Sequence, residues 1–129
     1  MRIAVSLVIA LATLGCGNDS PAPGATAPAA AAEDPTVTAK KLIASGATVI
    51  DVREPDEWDE GHLPQAKLYP VGSIGAKADE IAATAGGKDR PVVVYCRSGG
   101  RASKAKQVLE AAGFTNVVNG GGYRKLAPS

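Results

Sequence analysis

The sequence predicts an α/β fold, a single domain built on a mostly parallel sheet covered by helices on both faces, and three observations carry that expectation. Short runs rich in β-branched residues, at 47–52, 92–95 and 116–119, are separated by segments whose apolar side chains recur at helical spacing. The run Val92, Val93, Val94, Tyr95 is apolar throughout, which suits a strand buried on both faces of a parallel sheet. Gly46, Gly86, Gly87 and Gly113 fall where the helical segments stop.

With 129 residues, two cysteines, one histidine and a formal net charge of +1, the chain has room for one domain plus extensions. The balanced charge speaks against a nucleic-acid surface, so small partners are expected.

Residues 1–15 carry one arginine, an apolar run over 3–14 and small residues before Cys16. A spanning helix needs about 20 apolar residues, so the shorter run reads as a signal peptide and the domain as exported. Gly15-Cys16-Gly17-Asn18 resembles a bacterial lipoprotein signal. That resemblance implies a lipidated Cys16 at the start of the mature chain and a periplasmic domain anchored to a membrane through the lipid alone; an ordinary signal peptide cleaved elsewhere is the alternative. Residues 16–35 are rich in Ala and Pro with almost no large apolar side chains, the composition of an extended tether.

The domain is expected over residues 36–127. Thr38 reads as the cap of a helix through Ser45, with Leu42 and Ile43 facing inward. The strand at 47–52 brings Asp51 and Arg53 to its carboxyl end, the edge of an α/β sheet where ligand crevices form. They support the site or simply pair with each other. Glu54, Asp56, Glu57, Asp59 and Glu60 could suggest a metal, but Pro55 and Trp58 indicate a short capped helix with its charges in solvent. His62, in a turn between Gly61 and Pro64, is expected to make a structural hydrogen bond; no Cys-His pairing is supported. Residues 66–70 read as a short strand, and Ile74, Ala78, Ile81 and Ala85 as one helix. No metal or cofactor is called for.

Residues 91–112 organise the rest. Cys96 ends the apolar strand, and Ala102, Ala105, Val108, Leu109 and Ala112 then fall on one side of a helix. Between them Arg97, Ser98, Gly99, Gly100 and Arg101 make a loop whose two glycines permit φ > 0 and inward-turned N–H groups. Helix N-terminus, amides and the two arginines all favour thiolate over thiol at Cys96. The pattern points to a nucleophile facing an anionic substrate. The last strand is expected at 116–119, with Gly120, Gly121 and Gly122 as a loop beside the site.

The loop CRSGGR, together with DVREPDEWDEGHLPQA at residues 51–66, resembles the rhodanese family of sulfurtransferases. Gln65 replaces a glycine usual in that family, and Leu126 stands where a tryptophan often closes the domain. The resemblance implies that Cys96 takes sulfane sulfur from a small anionic donor such as thiosulfate. It would carry that sulfur as a persulfide cradled by residues 97–101 and yield it to cyanide, a thiol or a protein acceptor. Two alternatives stay open: a cysteine-dependent phosphatase or arsenate reductase, and a non-enzymatic persulfide module. Phosphatases of that kind resemble C-x5-R, whereas four residues separate Cys96 from Arg101, a smaller cradle.

Overall fold

The computed structural model describes residues 34–128. The expected signal peptide (1–15), the lipidation candidate Cys16 and the tether up to residue 33 lie outside the described residues.

Asp34 and Pro35, expected to end the tether, instead begin the first helix, α1 (Pro35–Ala44). The Asp34 carboxylate accepts the Thr36 backbone N–H at 2.8 Å, and Pro35 sits in the first turn, where a missing N–H costs nothing. Thr38, expected as the cap, therefore lies inside the helix.

Four strands follow: β1 (Thr48–Asp51), β2 (Ala66–Leu68), β3 (Val92–Cys96) and β4 (Val117–Gly122). They form one parallel sheet in the order β2-β1-β3-β4, so the cysteine-bearing strand is central. The remaining helices are α2 (Pro55–Glu60), α3 (Ala78–Ala85), α4 (Gly100–Ala111) and α5 (Tyr123–Leu126).

Alternation along β3 divides the core. Val92, Val94 and Cys96 pack with Ile81 of α3 and with Ala102, Ala105 and Leu109 of α4. Val93 and Tyr95 point to the other face, with Ala39 of α1 and Leu126 of α5. All five residues of β3 are buried, which is what an unbroken apolar run requires, and both faces of the sheet are covered as expected.

Two elements differ from expectation. The helix expected from Ile74 begins only at Ala78, after a 3-10 turn at Val71–Ser73, because Gly72 and Gly75 weaken helix formation there. Ile74 and Ile81 are nonetheless both fully buried. The larger difference is β4, which runs through all three glycines expected as a loop; Gly122 pairs with Cys96 after a register shift between Val94 and Cys96. Close packing selects Gly120 and Gly122, and a φ of +80° selects Gly121. A Cβ on Gly120 would lie 2.8 Å from Leu126 Cδ1 and 3.1 Å from Val93 Cγ1.

Candidate active site

Cys96 is fully buried at the end of β3. The chain turns through residues 97–99 and enters α4 at Gly100. Gly99 adopts φ +102°, a conformation that costs glycine little, and its backbone N–H donates to Cys96 Sγ at 2.8 Å. The unpaired N–H groups of the first turn of α4 add partial positive charge at the same end. The sulfur is thus met by a fixed backbone donor. The expected loop of five residues is shorter than its sequence suggested, since Gly100 and Arg101 already belong to α4 and Gly99 alone of the two glycines takes a positive φ.

Arg97 and Ser98 are exposed. With Arg53, Glu57, Gly61 and Arg124 they help line an open cleft of ≈ 810 Å³. Arg101 behaves differently from expectation. Its Nη1 and Nη2 donate to Glu57 Oε2 and Oε1 at 2.5 and 2.7 Å, a two-pronged pair, so its fork is occupied by a carboxylate where a place in the sulfur's cradle was expected. Glu57 was expected in solvent. Its side chain is only 18% exposed and also accepts the Glu54 backbone N–H at 3.1 Å, which closes the first turn of α2. The Arg101 hydrogen bonds hold the Glu57 carboxyl down at about 2 and raise the Arg101 guanidinium.

Asp51 and Arg53 are both buried, at 0% and 4% exposure. The Asp51 carboxylate accepts from Arg53 Nε at 3.0 Å and Nη2 at 2.7 Å and from the Arg53 backbone N–H at 2.9 Å. Nη2 of Arg53 also donates to the Gly61 carbonyl at 2.6 Å, and the guanidinium lies over the Tyr123 ring at 4.7 Å. The Asp51 hydrogen bond is the main cause of the raised Arg53 guanidinium. The pair therefore ties β1 to the turn after α2 and to α5, with Arg53 bordering the cleft.

His62 stacks on Trp58 with ring centroids 3.5 Å apart, and its Nδ1 lies 3.0 Å from the Trp58 carbonyl oxygen. That is a structural bond at the end of α2, as expected. Among the described residues no cluster of His, Cys, Asp or Glu is arranged to hold a metal ion.

The rear wall of the cysteine loop comes from β4: Gly120, Gly121 and Gly122 do lie beside the site as expected, but as strand and not as loop. A Cβ on Gly122 would lie 2.6 Å from the Arg97 carbonyl oxygen, and one on Gly99 would lie 3.3 Å from Gly121 Cα. Asn119 reaches the same loop: Nδ2 donates to the Gly99 carbonyl at 3.1 Å and to Ser103 Oγ at 2.7 Å, while Oδ1 accepts the Gly121 N–H at 2.8 Å. An asparagine directly before three glycines was the available signal.

A buried cysteine ending a central parallel strand, with a backbone N–H aimed at its sulfur from a helix N-terminus, defines a class of α/β domains that seat a thiol at the carboxyl edge of the sheet. This chain belongs to the Rhodanese-like domain family, which matches residues 35–127. It is 36% identical over 80 residues to the uncharacterized protein YqhL of Bacillus subtilis (strain 168), covering 61% of this chain and 60% of that one. It is 33% identical over 78 residues to thiosulfate sulfurtransferase PspE of Escherichia coli (strain K12), covering 60% and 72%. A solved structure described as rhodanese with anions from E. coli matches with a TM-score of 0.58 at 31% identity, covering 65% of this chain and 95% of that one. The chain thus spans less than two thirds of the length of the first of these curated relatives.

Proposed function

We propose that this domain is a sulfurtransferase that moves sulfane sulfur from a small anionic donor such as thiosulfate to a thiophilic acceptor through a persulfide on Cys96. The observation that carries the proposal is the Gly99 N–H donating to the buried Cys96 Sγ at 2.8 Å. The Cys96 thiolate attacks the outer sulfur of the donor; a new S–S bond forms, the S–S bond of thiosulfate breaks, and sulfite leaves with the electron pair. The terminal persulfide sulfur is then anionic, and fixed N–H donors stabilise it without reorganising. Cyanide or a thiolate attacks that sulfur and releases the Cys96 thiolate. Family membership and a relative named as a thiosulfate sulfurtransferase support the reading. The engagement of Arg101 by Glu57 weighs against a phosphatase, which would need that arginine facing a tetrahedral anion.

Thiocyanate production from thiosulfate and cyanide tests it. Wild type should turn over and Cys96→Ser should not, because a serine hydroxyl stays protonated where a thiol ionises. Brisk hydrolysis of aryl phosphates without thiocyanate production would favour the phosphatase alternative.

The domain is further proposed to be exported to the periplasm and anchored there through lipid on Cys16, on the strength of the apolar run ending at Gly15-Cys16. A protein sulfur acceptor in that compartment is compatible with the open cleft. Intact-mass analysis and detergent partitioning of the mature protein test the anchor. A soluble product whose N-terminus lies downstream of Cys16 would remove the lipid and leave export standing.

A further inference from the structure

Asn119 holds the cysteine loop from behind with both ends of its side chain. Its two backbone partners settle the orientation of the amide, since the Gly99 carbonyl can only accept and the Gly121 N–H can only donate. The Gly99 carbonyl also accepts the Ser103 N–H of α4 at 2.9 Å, so Asn119 adds a second, lateral restraint to it. Gly99 has φ +102° and ψ −16°, and its N–H and carbonyl radiate from one Cα. Restraining the carbonyl therefore restrains the direction of the N–H, which is the donor to Cys96 Sγ. Without a Cβ, Gly99 can leave this orientation for others at little steric cost. The restraint must come from a neighbour.

We propose that Asn119 is a positioning residue for sulfur transfer, keeping the Gly99 N–H aimed at the Cys96 sulfur; the proposal rests on the sulfurtransferase reading above. A residue that merely joined β4 to α4 would affect stability and leave the reactivity of the sulfur alone. Two variants of the full chain separate these roles. Asn119→Ala should lower kcat for sulfur transfer about tenfold, the scale of losing one hydrogen bond to a charged group, with KM for thiosulfate changed less than twofold.

Asn119→Asp is the sharper probe. A protonated carboxyl can still accept from Gly121 and donate to the Gly99 carbonyl, whereas the carboxylate is repelled by that carbonyl and by the sulfur. Among the described residues Asp34 is the titratable side chain lining the recess that Asn119 and Gly99 share, with Lys125 acting on Asp34 and Arg101 on Cys96 through their charge. The Thr36 backbone N–H holds the Asp34 carboxyl below its ordinary range, and Asp34 is common to wild type and variant, so its own titration is shared by both members of the ratio. The rate of Cys96 alkylation by iodoacetamide, taken as the ratio of Asn119→Asp to wild type, should fall as pH rises from about 4 to about 8. A ratio independent of pH, or a folded Asn119→Ala variant with kcat within twofold of wild type, overturns the proposal. If Asn119→Ala does not fold, the alkylation ratio still decides. If wild type transfers no sulfur at all, the sulfurtransferase reading fails, while the same ratio continues to test the hold of Asn119 on the thiol.

Discussion

Glu57 and Arg101 are joined by two hydrogen bonds of 2.5 and 2.7 Å that tie α2 to the first turn of α4. Arg101, in the first turn of α4, is therefore a strut, and its partner comes from the acidic stretch of α2, 44 residues away in sequence. An ammonium cannot match two carboxylate oxygens as a planar fork does. Arg101→Lys and Glu57→Gln should each lower kcat/KM for thiosulfate severalfold, and the double variant should be little worse than the poorer single one, because both loosen the same tie. Additive losses would show that Arg101 also touches the donor.

The same pair makes stability depend on pH. Arg101 holds the Glu57 carboxyl at about 2 in the folded chain against an ordinary value of 4.5. Its stabilising contribution is fully present above about pH 4.5 and is lost as pH falls toward 2. With both side chains partly solvated, the contribution is about 1 kcal/mol. Urea denaturation at pH 7 and pH 3 should find that wild type loses stability relative to Glu57→Gln on acidification; an unchanged difference would contradict the pairing.

Two glycines of β4 should respond differently to a single methyl group. Gly120→Ala places a Cβ against Leu126, Val93 and Ala39 in the core, and should cost about 1 to 3 kcal/mol of stability. Gly122→Ala instead drives a Cβ into the Arg97 carbonyl oxygen, 2.6 Å away, and should shift the cysteine loop. Thermal melts paired with the thiocyanate assay should show Gly120→Ala as the less stable variant with activity per folded molecule near wild type. Gly122→Ala should show the larger loss of activity.

Removing the buried Asp51 carboxylate leaves the Arg53 guanidinium charged at 4% exposure without its anion. Asp51→Ala should lose about 3 to 5 kcal/mol in chemical denaturation, the range for breaking one side of a buried pair. A loss under 1 kcal/mol would mean that Gly61 and the tyrosine rings satisfy Arg53 unaided.

Much of this was legible before any coordinates. The unbroken apolar run of β3 and the helical spacing over residues 102–112 placed Cys96 at a strand end beneath a helix, because burial on two faces and on one face leave different periods. What escaped were relations between distant segments. Glu57 reads as one solvated carboxylate among five until Arg101 is brought to it by the fold. Gly120 to Gly122 read as a loop because glycine disfavours strands, yet here Leu126 crowds Gly120, the Arg97 backbone crowds Gly122, and Gly121 takes a φ of +80°. Thr38 reads as a cap because its hydroxyl precedes an apolar pair, while Asp34 and Pro35 satisfy the helix one turn earlier.

The most direct measurement is the intact mass of the full chain after exposure to thiosulfate, with peptide mapping to locate any added atom. The account predicts a gain of one sulfur atom on Cys96, lost again on addition of cyanide with release of thiocyanate, and absent in Cys96→Ser. An unmodified Cys96 after thiosulfate treatment, or thiocyanate formed by the serine variant at the wild-type rate, would contradict it.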